Sequence, residues 1–426
     1  VEADTLGVGA KKVVLGTEAA RPDALTLGDS ALQRKELQVR AYDRIELAAG
    51  KTLGQTGAGG VPALQKLVLD APVIAGEATA VDGQTTTIRA QSVALRNTSG
   101  SAPEASASSQ ATWVVETSPA IKDATAVGIT LGEGQQRLAF KQVSLKSTGD
   151  VVMEGEGTLS VQKNLTIEAA RVTARSGANY KLEAEKGLVH IQQADAAQAR
   201  TLNDVVGSGA KLTVDALRVI QSGTVELASG HIEFNAKGDG SDLASIVFDE
   251  GSKTSVAGWQ SKQNGQVVAV APGGLIKAKA ESGAIEWLGE LDAHVPDTGK
   301  LTQVGVAAGQ VVLSTPATDG GLKVGSNASI KGQAATDALS GSLAVDAFVL
   351  RGETDTDNAL GMIADKLRDG GVFREVAIRD RSDDLVLNKN LKADRVVLSA
   401  DAGDLTVAAN VVIDATAERG GFVKLA

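Results

Sequence analysis

The sequence predicts an all-β chain wound as a parallel β-helix. Three observations point there. Apolar-x-apolar pairs recur along most of the chain, turns of Gly, Asp, Ser or Asn separate them, and a longer period of about 20–23 residues brings the pattern back.

Near the start, Leu37/Val39, Ile45/Leu47 and Leu67/Leu69 are such pairs. From 138 to 191 they run Leu138/Phe140, Val143/Leu145, Val151/Met153, Leu159/Val161, Leu165/Ile167, Val172/Ala174, Tyr180/Leu182 and Val189/Ile191. Leu212/Val214, Leu217/Val219, Val225/Leu227 and Ile232/Phe234 follow. The stretch LVLNKNLKADRVVLSADAGDLTVAANVVID, 385–414, adds Leu385/Leu387, Val396/Leu398, Leu405/Val407 and Val411/Ile413. Alternation over a few residues between turn formers predicts a half-buried strand. Strands this short do not hold alone and need neighbours above and below.

The longer period appears as 20 residues from Val376 to Val396 and from Leu385 to Leu405, 22 from Val143 to Leu165, and 23 from Leu165 to Leu188. A repeat holding about three short strands matches one coil of a β-helix. Stacked about 4.8 Å apart, roughly 15–20 coils predict a rod about 70–100 Å long. The chain has 11 aromatic residues (Trp 3, Tyr 2, Phe 6) against 48 Gly, so small aliphatic side chains must fill its interior. Alternation alone also fits an antiparallel sandwich, but a sandwich asks for longer strands and for linkers between domains. A transmembrane barrel asks for roughly 10-residue strands and aromatic girdles.

Two stretches break the pattern. SGSAPEASASSQAT, 99–112, predicts an exposed irregular loop. In TDTDNALGMIADKLRDGG, 354–371, Leu360, Ile363 and Leu367 share one helical face. A helix over 357–369 is predicted, N-capped by Thr356 or Asp357, ended by Gly370 and laid against the sheet. The expected organisation is a β-helix over 1–350, a helical insertion over 351–371 and a continuation of the β-helix over 372–426.

Composition narrows the function classes. The net charge is −10 over 426 residues, and Lys and Arg are scattered singly, so no basic stripe awaits phosphates. Nucleic acid is not an expected partner. Cysteine is absent, which removes disulfides, thiolate metal sites and a cysteine nucleophile. No apolar run is long enough for a transmembrane helix, and no membrane insertion is expected. The sequence opens on VEADTLGVGA, without initiator Met or signal peptide, and reads as a piece of something longer.

Several residues invite a chemical role. HVPDTGK, 294–300, superficially matches a sorting signal, but neither the apolar segment nor the basic tail follows, so a turn is expected. KGDGSD, 237–242, brings Asp239 and Asp242 among glycines. Calcium-binding rolls repeat a nonapeptide many times, so this single copy reads as a solvated turn. Asp383 and Asp384 precede a strand, but adjacent strand residues face opposite ways, and Phe373 is the one aromatic nearby. His190, His231 and His294 lack ligand spacing. Asn97, Asn164 and Asn327 begin Asn-x-Ser/Thr triplets of the kind chance supplies. Trp113, Trp259 and Trp287 each either pack in a coil or mark a small binding patch, and packing is favoured. No catalytic, cofactor-binding or metal-binding residue is assigned, no cofactor is expected, and the binding residues stay unassigned.

Three stretches carry a resemblance. GEGQQRLAFKQVSLKSTGDVVMEGEGTLSVQKNLTIEAARVTARSGANYKLEAEKGLVHIQ (132–192), LRVIQSGTVELASGHIEFNA (217–236) and the segment from GGVFREVAIRDR to the end (370–426) resemble the filamentous-haemagglutinin-like exoproteins of Gram-negative bacteria. The shared phrase is G-x-apolar-x-apolar-x-A with a Gly-Gly-apolar-x-apolar close. The likeness covers about 130 to the end, and 30–130 more weakly. It implies a right-handed β-helix, two-partner secretion through an outer-membrane transporter, a place on the cell surface or in the medium, and adhesion or toxin delivery by the whole molecule. That family's secretion domain and its toxin domains are not recognisable here.

Three functions compete. A stalk or adhesin segment needs a stacked core, a polar exterior and few special residues, all of which the sequence supplies. A module binding a glycan or cell-surface receptor needs an exposed aromatic or apolar cluster. A polysaccharide-degrading enzyme needs clustered carboxylates and aromatic platforms. The expectation is the first, without catalytic activity.

Overall fold

The computed structural model describes residues 4–57, 60–104, 108–118, 127–195, 207–241, 243–296, 305–354, 357–417 and 420–426. Strand makes up 53% and helix 5%, and the long sheets are parallel, so the fold is an all-β parallel β-helix. The chain divides into two compact units, one of residues 1–206 with 214–216 and one of 207–213 with 217–426.

In the first unit, three faces are each built from one strand per coil. On one face, Leu37, Leu67, Val93, Ile129, Val151 and Val172 stack in register. On the next, Ile45, Ile74, Leu138, Val161 and Ala184 stack. The third stacks Leu53, Ile88, Val115, Leu145, Ile167 and Ile191. All of these side chains are buried. Because strand side chains alternate, every second residue enters such a column and the rest face out.

The second unit has the same logic. Val219, Ile246, Ile285, Leu322 and Leu350 form one column. Val225, Thr254, Leu291 and Ile330 form a second. Ile232, Ile276, Val311, Leu343, Val376, Val396 and Val423 form the third.

The predicted pairs between 138 and 191 are all buried. The coil length is less regular than expected. Leu165 pairs with Val189, not Leu188, so that step is 24 residues (189 − 165). From Ile232 to Ile276 the step is 44 (276 − 232). An antiparallel hairpin, Gln260–Gln263 with Gln266–Val270, is inserted there. Its turn residues Asn264 and Gly265 both have positive φ, 50° and 75°, which an Asn-Gly hairpin turn requires. Leu217 is only half-buried; the inward residues of its neighbouring strand are Val219 and Gln221, the latter fully buried. Leu405, Val411 and Ile413 are half-buried and Val407 is exposed, so the last two predicted pairs are not core.

The single α-helix of the described residues is Ala359–Asp369. Leu360, Ile363 and Leu367 are buried as the sequence predicts. The cap is Asn358, not Asp357, and Thr356 lies outside the described residues. Asn358 Oδ1 accepts from the Gly361 amide at 2.6 Å, and its Nδ2 donates to the Val386 carbonyl at 2.9 Å. Asp357 turns back to accept from the Thr354 amide instead. Gly361 sits where a Cβ would meet Asn388 Oδ1 at 2.0 Å, so the helix lies close on the segment after strand Leu385–Leu387. In the predicted loop, the described residues 99–104 and 108–111 are irregular, and strand begins at Thr112.

Candidate functional site

The outward residues carry most of the polar chemistry of each coil. Their main pattern is opposite charge stacked between successive rungs. Directly paired in register are Arg89 with Glu116 (2.7 Å), Lys146 with Glu168 (3.6 Å) and Asp150 with Arg171 (2.8 Å). In the second unit Glu233 pairs with Lys277 (2.7 Å), Glu286 with Lys323 (3.8 Å) and Glu375 with Arg395 (3.0 Å). Each pair supports the in-register stacking, since a slip of one residue would turn the paired side chains to opposite faces.

Two of the three tryptophans are packing residues. Trp113 is fully buried and stacks on Phe140, centroids 5.4 Å apart. Trp287 is fully buried in register between Phe248 and Val324, and its Nε1 donates to the Gly289 carbonyl at 3.1 Å. Trp259 is half-buried at the base of the hairpin, where its carbonyl accepts from Ala271.

Asp239 accepts from the amide and hydroxyl of Ser241, a turn closed by its own side chain. Asp242 lies outside the described residues. Asp383 and Asp384 are exposed; Asp384 accepts from the Asp404 amide one coil on, at 2.8 Å. The sequence gives no hint of the carboxylate beside them that matters most. Asp380 is buried and accepts from the amides of Leu350, Ser382 and Asp383, tying a turn to the preceding coil.

The histidines are separate. His190 and His231 lie on outward strand positions, and burial pushes the His231 imidazole pKa down. His294 begins the predicted 294–300 turn, of which only 294–296 are described, half-buried or buried. Its Nδ1 lies 2.5 Å from Oδ1 of buried Asp292. Burial works to raise the Asp292 carboxyl, but His294 and Lys253 outweigh it and hold the pKa below the ordinary value. Among the described residues no three His, Cys, Asp or Glu side chains lie together as a metal site. Asn97 is buried and donates to the carbonyls of Ser101 and Gln135. Asn164 accepts from the Leu188 amide, and Asn327 donates to Glu250.

Two of the grooves among the described residues are open to solvent. One, of about 490 Å³, runs beside the helix past Lys331 and Lys366. Lys366 Nζ fills part of it, donating to the carbonyls of Ser326 and Ala328, and burial lowers its pKa. The other, of about 340 Å³, lies on the first unit and is lined by Pro103, Gln135, Arg137, Thr158, Ser160, Lys181, Glu183 and Glu185. It was not legible in the sequence, because it exists only once three coils are in register.

No family model matches the sequence, no curated protein resembles it significantly, and no solved structure does so.

Proposed function

We propose that the chain is a structural stalk or adhesin segment of a large secreted surface exoprotein of the filamentous-haemagglutinin-like kind. In this reading the parent leaves a Gram-negative cell through an outer-membrane two-partner secretion transporter, and the segment supports attachment to host cells, other bacteria or matrix. The observation that carries it is the use of the outward faces. Coil after coil, they hold opposite charges paired between rungs over stacked, mostly aliphatic columns. Such a surface is committed to keeping a repeat array in register, and its stability is built from neighbour-to-neighbour contacts.

The test is surface labelling of the producing bacterium. Antibody against the purified chain should label intact cells or the culture fluid, and deletion of the cognate transporter should abolish the signal. Labelling only after permeabilisation would overturn the proposal. The alternative, a glycan- or receptor-binding module, is favoured by one observation, the 340 Å³ groove.

A further inference from the structure

The groove of the first unit has a simple origin. Strands Gly134–Ala139, Glu156–Val161 and Asn179–Ala184 are successive rungs of one face. Gln135, Thr158 and Lys181 pair in register, and so do Arg137, Ser160 and Glu183. The middle rung therefore presents two short hydroxyl side chains between longer ones. The resulting dip is flanked by Pro103 and Glu185. The Pro103 wall is anchored by Asn97, whose Nδ2 donates both to the Ser101 carbonyl at 2.8 Å and to the Gln135 carbonyl at 2.7 Å.

Its polar groups fall into two sets. The charged ones are already paired: Arg137 with Glu185, and Lys181 with Asp215 at 2.8 Å and Glu183 at 3.5 Å. The Gln135 amide and the hydroxyls of Thr158 and Ser160 have no side-chain partner among the described residues. Two cations against three carboxylates leave no attraction for an anion. A cation would have to displace Lys181 or Arg137. An apolar ligand would find no aromatic side chain in the lining. A polyhydroxyl ring suits the groove, because each hydroxyl both donates and accepts and so matches hydroxyl, amide and carboxylate alike.

We propose that this groove binds a neutral hexose unit of a glycan. Its volume of about 340 Å³ is at the small end for ligand sites and fits one sugar ring. Thr158 and Ser160 hold the ring from below, Gln135 and Glu183 from the sides. Without an aromatic platform the affinity is weak, with Kd on the order of 1–10 mM. The site is independent of how the chain is exported.

The test is a ligand-observed NMR titration of the whole purified chain with the methyl glycosides of glucose, mannose and galactose, and with methyl glucuronide. At least one neutral glycoside should bind saturably in the millimolar range, and the glucuronide about tenfold more weakly. Ser160→Gln fills the dip and should weaken binding at least fivefold. Thr158→Ala removes a hydroxyl with little steric change, should weaken it about threefold, and serves if the first variant fails to fold by circular dichroism. No saturable binding of any neutral glycoside up to about 50 mM, equal binding of the glucuronide, or unchanged binding in the folded variants would overturn the proposal.

Discussion

Arg171 stands one coil beyond Asp150 on the same face, and their side chains meet at 2.8 Å with 10% and 3% of their surface exposed. The two charges are paired out of water, and removal of one takes from the other its partner on the neighbouring rung. Arg171→Ala should therefore cost about 3 kcal/mol, and more than Arg171→Met with Asp150→Leu, which removes both charges and keeps the packing. Urea denaturation of the two variants distinguishes these outcomes. Equal losses would mean that the pair contributes through packing alone.

Ile167 sits in register between Leu145 and Ile191 and is fully buried. Ile167→Asp puts an unpaired carboxylate into the aliphatic column, at a cost of several kcal/mol, on the order of 3–5. A loss below about 1 kcal/mol would place Ile167 in solvent and shift the register by one.

Asn358 caps the helix and also holds the Val386 carbonyl. Asn358→Ala should cost about 1–2 kcal/mol and speed amide exchange in the first helical turn. Asn358→Asp keeps the cap but loses the donor to Val386, and should fall between. An Asp variant as impaired as the Ala one would make the Val386 bond the dominant contribution.

The Asp292 carboxyl is nearly out of solvent, and burial by itself would raise its pKa. His294 and Lys253 more than offset this and leave it below the ordinary value. A depressed folded pKa stabilises above the unfolded value of about 3.9 and loses that contribution as pH falls through the folded value. Asp292→Asn should thus flatten the fall of stability below about pH 4, with stability lower than wild type at neutral pH. An unchanged acid limb in the variant, measured by denaturation midpoint against pH, would remove Asp292 from the acid response.

The alternation of strand residues made the columns legible, since inward positions need only be apolar. Val143, Leu165 and Ile167 show this directly. Where it misled, a polar or misplaced residue took an inward place. Gln221 is buried because its Nε2 reaches the carbonyls of Gly223 and Lys253, which no hydropathy pattern encodes. Leu188 and Val189 are adjacent apolar residues, and only pairing with Leu165 decides between them. The Asn264-Gly265 turn was a readable signal for the hairpin that the β-helix period masked. The helix face was legible from Leu360, Ile363 and Leu367, but its cap was not, because Asp357 and Asn358 are both able cap residues. The groove at Thr158 and Ser160 depends on which long side chains lie a coil above and below, information that only register supplies.

The parallel register itself is open to one direct measurement. The chain has no cysteine, so engineered pairs are unambiguous. Thr166 pairs with His190 on the outer side of adjoining rungs. At the usual rung spacing of about 4.8 Å, Thr166→Cys with His190→Cys should close a disulfide under mild oxidation, and Thr166→Cys with Gln192→Cys, about 8 Å apart, should not. Efficient closure of the first pair alone is the predicted result. Failure of the first pair, or equal closure of the second, would contradict the parallel stacking of these coils.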